Sequence, residues 1–146
     1  MSGVYKRNRN RSKIDFYDKA VKLNDEIMDI CDDTRYYSKR QTFKRAIPLM
    51  ELSGEMLKVI CIANDIFLRT EGNKAIIRED FIERRKYLTL AIGTTDALLQ
   101  RFQRDCLKLK TIPSRRKKIV SDLAVDVMDM LKALKKSDET RYGDLI

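Results

Sequence analysis

Apolar residues recur at alternating steps of three and four along four stretches of this 146-residue chain. The first stretch carries Phe16, Ala20, Leu23, Ile27 and Ile30. This spacing places side chains on one face of an α-helix, whereas a strand would need steps of two. Each stretch therefore predicts an amphipathic helix.

The other three stretches share this period. The second carries Phe43, Ile47, Met50, Gly54, Leu57, Cys61, Asn64 and Leu68, the third Phe81, Arg85, Leu88, Ile92, Thr95, Leu99, Phe102, Cys106 and Leu109, and the fourth Val120, Leu123, Val127, Met130 and Leu134. Four such helices with short connections bury these faces most simply as an all-α, antiparallel, up-and-down four-helix bundle. We place the bundle at residues 12–137, between a flexible basic arm at 1–11 and a flexible, frayed tail at 138–146.

Several residues predict where the helices begin. Ser12 and Ser38 each precede an acid or amide by three residues, which predicts a capping box at the start of the first and second helices. Pro48 interrupts the second stretch and predicts a kink near residues 45–47, because proline lacks the helical N–H donor. Pro113 followed by Ser114 predicts the start of the fourth helix.

Composition argues against most enzyme classes. The chain contains no His, the commonest general base, and its three Cys show no C-x-x-C spacing, so we expect no catalytic residue, cofactor or metal. Asp122, Asp126 and Asp129 share a helix face and leave a metal-dependent enzyme as a third alternative, but no Glu-x-x-His motif accompanies them. No apolar run reaches the roughly 20 residues of a membrane span, and the basic N-terminus has no apolar stretch behind it. We expect a cytoplasmic location and no membrane contact.

Positive charge is concentrated in part of the chain. The net charge is +9, yet residues 14–38 carry 3 bases against 7 acids. Residues 1–13 and residues 39–146 each carry more bases than acids. Eight cations lie at the end of the third helix and the start of the fourth, with Asp105 the sole acid between the first and last of them. We call these eight the basic patch: Arg101, Arg104, Lys108, Lys110, Arg115, Arg116, Lys117 and Lys118.

The position of the last four cations is unfavourable for the helix itself. A helix N-terminus carries about half a positive charge, so each cation there costs about 0.3 to 1 kcal/mol. Phosphate groups would offset this cost, and the basic patch therefore predicts nucleic-acid contact with weak sequence preference. Further candidate contacts are Arg40, Lys44 and Arg45, and in the N-terminal arm Lys6, Arg7, Arg9 and Arg11.

The chain also resembles the accessory variability determinant (Avd) proteins of diversity-generating retroelements, four-helix bundles related to those encoded in ribosomal RNA intervening sequences. The resemblance covers residues 12–137 and is carried by "FYDKAVKLNDEIMDIC", "FKRAIPLMELSGEMLKVICIANDIF", "YLTLAIGTTDALLQRFQ" and "IVSDLAVDVMDMLKALK". It implies a non-enzymatic homopentamer that binds template RNA, or cDNA, through a basic surface and associates with the reverse transcriptase during mutagenic cDNA synthesis. The alternative is a protein–protein adaptor whose cations have no nucleic-acid role.

Overall fold

The computed structural model describes the backbone of residues 2–145 and the side chains of residues 17–145. Residues 2–145 contain no strand, which confirms the all-helical prediction. The elements in chain order are α1 (Ser2–Asp32), a 3₁₀ turn (Lys39–Gln41), a π-helical turn (Thr42–Ala46), α2 (Ile47–Asp65), α3 (Lys74–Leu109), α4 (Ser114–Tyr142) and a second 3₁₀ turn (Gly143–Leu145). Within this range no helix is both long enough and apolar enough to cross a bilayer.

One hydrophobic core joins the four helices. Its fully buried members include Leu23 and Ile27 of α1, Met56 of α2, Leu88 of α3 and Val127 of α4. Among the described side chains, the faces predicted for α1, α3 and α4 turn inward, since their apolar residues are buried or packed against buried residues. The exception among the described side chains is Arg85, whose guanidinium lies 5.5 Å from the centre of the Phe81 ring at the rim.

Polar contacts join the start of one helix to the end of a neighbouring helix. Near the start of α2, Arg101 of α3 donates through Nη2 to the Lys44 carbonyl at 3.2 Å. Beyond the other end of α2, Arg84 of α3 donates through Nη1 to the Ile66 carbonyl at 3.3 Å. Early α4 contacts late α1, where Arg116 pairs with Glu26 at 2.9 Å. The bundle end that carries the basic patch is therefore built from the end of α1, the start of α2, the end of α3 and the start of α4.

The inward face of α2 differs from the predicted one by a single residue. The buried positions are Ala46, Leu49, Ser53, Met56, Val59, Ile60 and Ala63, and all but Val59 lie one residue before a predicted position. Gly54 is exposed, and a Cβ atom there would meet nothing within 4 Å, so its predicted place on the inward face is wrong. Ser53 occupies the contact instead, donating to Asn24 Oδ1 at 2.7 Å.

Pro48 accounts for the irregular backbone before α2. In a regular helix the Lys44 carbonyl would accept from the N–H of residue 48, which proline lacks. The π-helical turn Thr42–Ala46 lies immediately before this point, where the sequence predicted a kink. A π turn rotates the chain by a smaller angle per residue than an α turn does. Phe43 therefore does not lie on the same helix face as Ala46. Phe43 is 84% exposed, and its predicted place in the core is wrong.

Three predicted helix boundaries also differ. α1 is helical through Ser12, which therefore cannot be its N-cap, and Ser38 makes no side-chain capping bond. The frayed tail predicted from residue 138 is wrong over its first part, because α4 continues to Tyr142. Tyr142 and Asp138 are buried there, against Phe81 and Arg84 respectively, and this burial holds the last turns in place. The start of α4 at Ser114 is as predicted.

Candidate nucleic-acid interface

The basic patch follows the chain around one corner of the bundle. α3 ends at Leu109, and Lys110 adopts a left-handed backbone conformation with φ of 55°, in which its N–H donates to the Cys106 carbonyl. α4 starts at Ser114 with Pro113 at the N-cap position. The connection is anchored to the loop after α1, because Thr111 Oγ1 donates to the Tyr36 carbonyl at 3.3 Å. The two halves of the patch are therefore neighbours in space as well as in sequence.

The eight cations of the patch fall into two groups. Five are exposed, namely Arg104, Lys108, Lys110, Arg115 and Lys118. Among residues 17–145, none of these five forms an ion pair with a carboxylate. The other three, Arg101, Arg116 and Lys117, are half-buried and contact the protein itself. The exposed group supplies the charge that a ligand could meet.

Asp105 does not neutralise the surface of the patch, although it lies within it in sequence. Its side chain is only 1% exposed. Tyr37 donates its hydroxyl proton to Asp105 Oδ2 at 2.8 Å, and Arg45 Nη1 donates to Oδ1 at 3.3 Å. A carboxylate with both oxygens bonded inside the protein is unavailable to surface cations. This buried network is a feature that sequence spacing alone did not predict.

Two other acids lie at the same bundle end, where α1 stops. Asp33 binds Arg35 through both of its oxygens, at 3.0 and 2.7 Å. These hydrogen bonds lower the pKa of Asp33 to about 2, so it stays ionised and occupied by Arg35. Asp32 is exposed.

An ion pair made by Arg116 offsets part of the unfavourable positive charge at the start of α4. Its Nη1 lies 2.9 Å from Glu26 Oε1 of α1, and both side chains are mostly buried. Glu26 thus supplies a counter-charge where the helix dipole does not. The charge of Lys117 lowers the pKa of the Cys106 thiol against the larger opposite effect of burial. Only Arg115 and Lys118 point a full charge toward solvent in this turn.

The predicted nucleic-acid contacts at the start of the second helix differ in their exposure. Arg40 and Lys44 are exposed beside the patch, and the backbone of Lys44 is bonded to Arg101. Arg45 is mostly buried against Asp105, so its predicted place on the binding surface is wrong. The side chains of Lys6, Arg7, Arg9 and Arg11 lie outside the described residues.

Two large apolar side chains lie exposed among these cations. Phe43 is 84% exposed between Arg40 and Lys44, and Leu107 is 74% exposed beside Lys108. They are the two most exposed large hydrophobic residues of the described part of the chain. Phe43 was assigned to the core from its spacing, and the one signal against that assignment was Pro48.

Two of the three thiols, those of Cys31 and Cys106, are buried. Burial raises the pKa of Cys31 to about 12 and that of Cys106 to about 11, with the Asp105 charge adding to both, so these two thiols stay protonated near neutral pH. Asp126 pairs with Lys19 at 2.9 Å. In residues 17–145 no group of three or more Cys, Asp or Glu side chains could hold a metal ion.

Comparison with known proteins adds nothing to this picture. No protein-family model, no curated protein and no solved structure matches the chain.

Proposed function

We propose that this chain binds nucleic acid, principally RNA, through the basic patch and catalyses no reaction. The observation that carries the proposal is the burial of Asp105, which leaves five exposed cations without a carboxylate partner among the described residues. A cluster of this kind repels itself at low salt, and a phosphate backbone relieves the repulsion. Arg40 and Lys44 extend the positive surface onto the start of α2.

Binding of this kind is driven by release of counterions from the polyanion. Affinity then falls steeply with salt, and the slope reports the number of phosphates neutralised. The described residues of the patch include no base-reading motif such as a recognition helix or zinc finger, so sequence preference is weak. The ligand is recognised by its charge and its shape.

The resemblance to the Avd proteins supports a more specific role. On that basis the chain is an accessory protein of a diversity-generating retroelement, associating with the reverse transcriptase and with template RNA, or cDNA, in the cytoplasm. The scaffold that we infer is an antiparallel up-and-down bundle, supported by the contacts between opposite ends of successive helices. The acidic stretch at residues 14–38 and the basic stretches elsewhere suit head-to-tail assembly into a closed ring, such as the pentamer of that family.

Filter binding of a structured RNA at several salt concentrations tests the proposal. We expect a steep negative slope of log affinity against log salt for the unmodified chain. The double variant Arg115→Glu/Lys118→Glu should bind at least tenfold more weakly, because it replaces two exposed cations of the basic patch with anions. Neither residue holds the fold together, so the structure should not change. Arg116 is left unchanged, since its pair with Glu26 is structural.

A matched control separates local from global charge. Lys74→Glu/Arg78→Glu makes the same change in net charge at two exposed positions on the opposite bundle end. It should retain most of the affinity. Equal loss in both variants, or a flat salt response, would contradict the proposal. Full affinity in the Arg115/Lys118 variant would instead favour the protein–protein adaptor.

A further inference from the structure

Phe43 projects from the bundle end in a defined way. The π-helical turn that carries Phe43 is held in place by the two residues that follow it. The Lys44 carbonyl accepts a hydrogen bond from Arg101, and Arg45 pairs with buried Asp105. Both contacts are made to α3, so this turn is attached to the core. An aromatic ring that is 84% exposed on an anchored backbone gains little from folding itself.

The surroundings of Phe43 indicate what would cover it. Arg40 and Lys44 are exposed on either side, and no acid lies between Lys39 and Pro48. An apolar protein partner would have to desolvate these cations, whereas a nucleic acid offers phosphates to them and a base to the ring. Charge complementarity therefore favours a nucleic acid as the occupant.

We propose that Phe43 stacks on an unpaired base of single-stranded RNA whose backbone lies on Arg40 and Lys44. This inference rests on the proposed function and adds to it a preference for single-stranded over duplex segments. In a duplex both faces of an internal base are already stacked, so the ring has no free surface to meet. Stacking tolerates any base, which agrees with weak sequence preference.

The composition of the chain permits a direct optical test, because it contains no Trp. Phe43→Trp makes the new indole the sole Trp fluorophore. We expect oligoadenylate to quench its emission to saturation, while inorganic polyphosphate, which supplies charge without bases, leaves it little changed. Phe67→Trp is the matched control, since Phe67 is 58% exposed but lies in the loop beyond the far end of α2. Its emission should not respond to either ligand.

Affinity measurements complete the test. Phe43→Leu keeps the residue apolar but removes the π face, and it should weaken oligoadenylate binding about 5- to 150-fold, equivalent to about 1 to 3 kcal/mol. Affinity for a duplex of equal length should be unchanged. The salt slope should also be unchanged, because no cation is lost.

Three results would overturn the inference. Unchanged oligoadenylate affinity in Phe43→Leu would exclude stacking while leaving the charge-based function intact. Emission of Phe43→Trp that varies with protein concentration alone would show that a second copy of the chain covers the ring. Absence of RNA binding by the unmodified chain would remove the proposed function and this inference together.

Discussion

Tyr37 Oη donates to Asp105 Oδ2 at 2.8 Å, joining the loop after α1 to the last turns of α3 inside the core. The two residues are 68 positions apart in the chain. Asp105 would otherwise lie as a counter-charge within the basic patch. This hydrogen bond therefore contributes to the stability of the bundle end and to its exposed positive charge.

Tyr37→Phe should lower the free energy of unfolding by about 1.5 to 3 kcal/mol, the range for a hydrogen bond to a charged group. The change leaves a buried carboxylate oxygen without its donor while the ring still fills its place. Urea denaturation followed by far-UV circular dichroism measures the effect. Tyr17→Phe, at an exposed position, should change stability by no more than about 0.5 kcal/mol. Equal effects at both positions would contradict a special role for Tyr37.

Stability should fall as pH rises above about 9, the ordinary pKa of a cysteine thiol. Burial holds the pKa of Cys31 near 12 and that of Cys106 near 11 in the folded chain, and it also raises the pKa of Tyr37. Between pH 9 and 11 the unfolded chain releases thiol protons that the folded chain retains, so unfolding becomes more favourable.

Cys31→Ala should reduce the slope of unfolding free energy against pH by up to about 1.4 kcal/mol per pH unit in this window. Chemical denaturation at a series of pH values gives the slope. Val59→Ala is the control, because it also removes buried atoms but does not ionise. It should lower stability at every pH and leave the slope as it is. An unaltered slope in Cys31→Ala would show that this thiol does not carry the effect.

Arg84→Met should destabilise the chain by about 3 kcal/mol, because it leaves the Asp138 carboxylate buried without its main counter-charge. The two side chains approach to 2.9 Å and are about one-tenth exposed. Burial already raises the pKa of Asp138 against the lowering effects of Arg84 and Arg141, so the remaining carboxyl should take up a proton more readily.

The double variant Arg84→Met/Asp138→Leu should recover most of that loss, since no buried charge remains. Thermal or urea unfolding of the single and double variants gives the comparison. Lys19→Met breaks the more exposed pair with Asp126 and should cost less than about 1 kcal/mol. A double variant no more stable than the single one would show that the loss does not come from a buried, unpaired carboxylate.

Lys110→Gly should raise stability by about 1 kcal/mol, because a left-handed backbone is costly for a residue with a Cβ. The same change removes one exposed cation, so the slope of log affinity against log salt should become shallower by about 0.7 for single-stranded RNA. Lys108→Gly also removes one cation but lies within α3 and should lower stability by about 1 kcal/mol. Unfolding and filter binding on the two variants separate these effects. A salt slope unchanged in both would place these lysines outside the interface.

Periodicity alone did not predict which face of the second helix turns inward. Leu57 and Cys61 lie on one apolar stripe, Met56 and Ile60 on the neighbouring one, and either stripe satisfies a period of 3.6. The structure buries the second stripe. The choice depends on how α2 packs against α1 and α3, which the sequence of a single helix does not encode. Asp105 is a similar case, because its donors Tyr37 and Arg45 come from distant parts of the chain.

The sequence by itself determined the number of helices, the faces of α1, α3 and α4 that turn inward, and the clustering of cations between α3 and α4. These follow from local spacing and from chain connectivity, which act over a few residues. Only the tertiary structure decided the rotation of α2, the exposure of Phe43 and which charges meet solvent. Those outcomes depend on desolvation and packing between segments far apart in the chain, where a buried partner determines whether a charged side chain remains available at the surface.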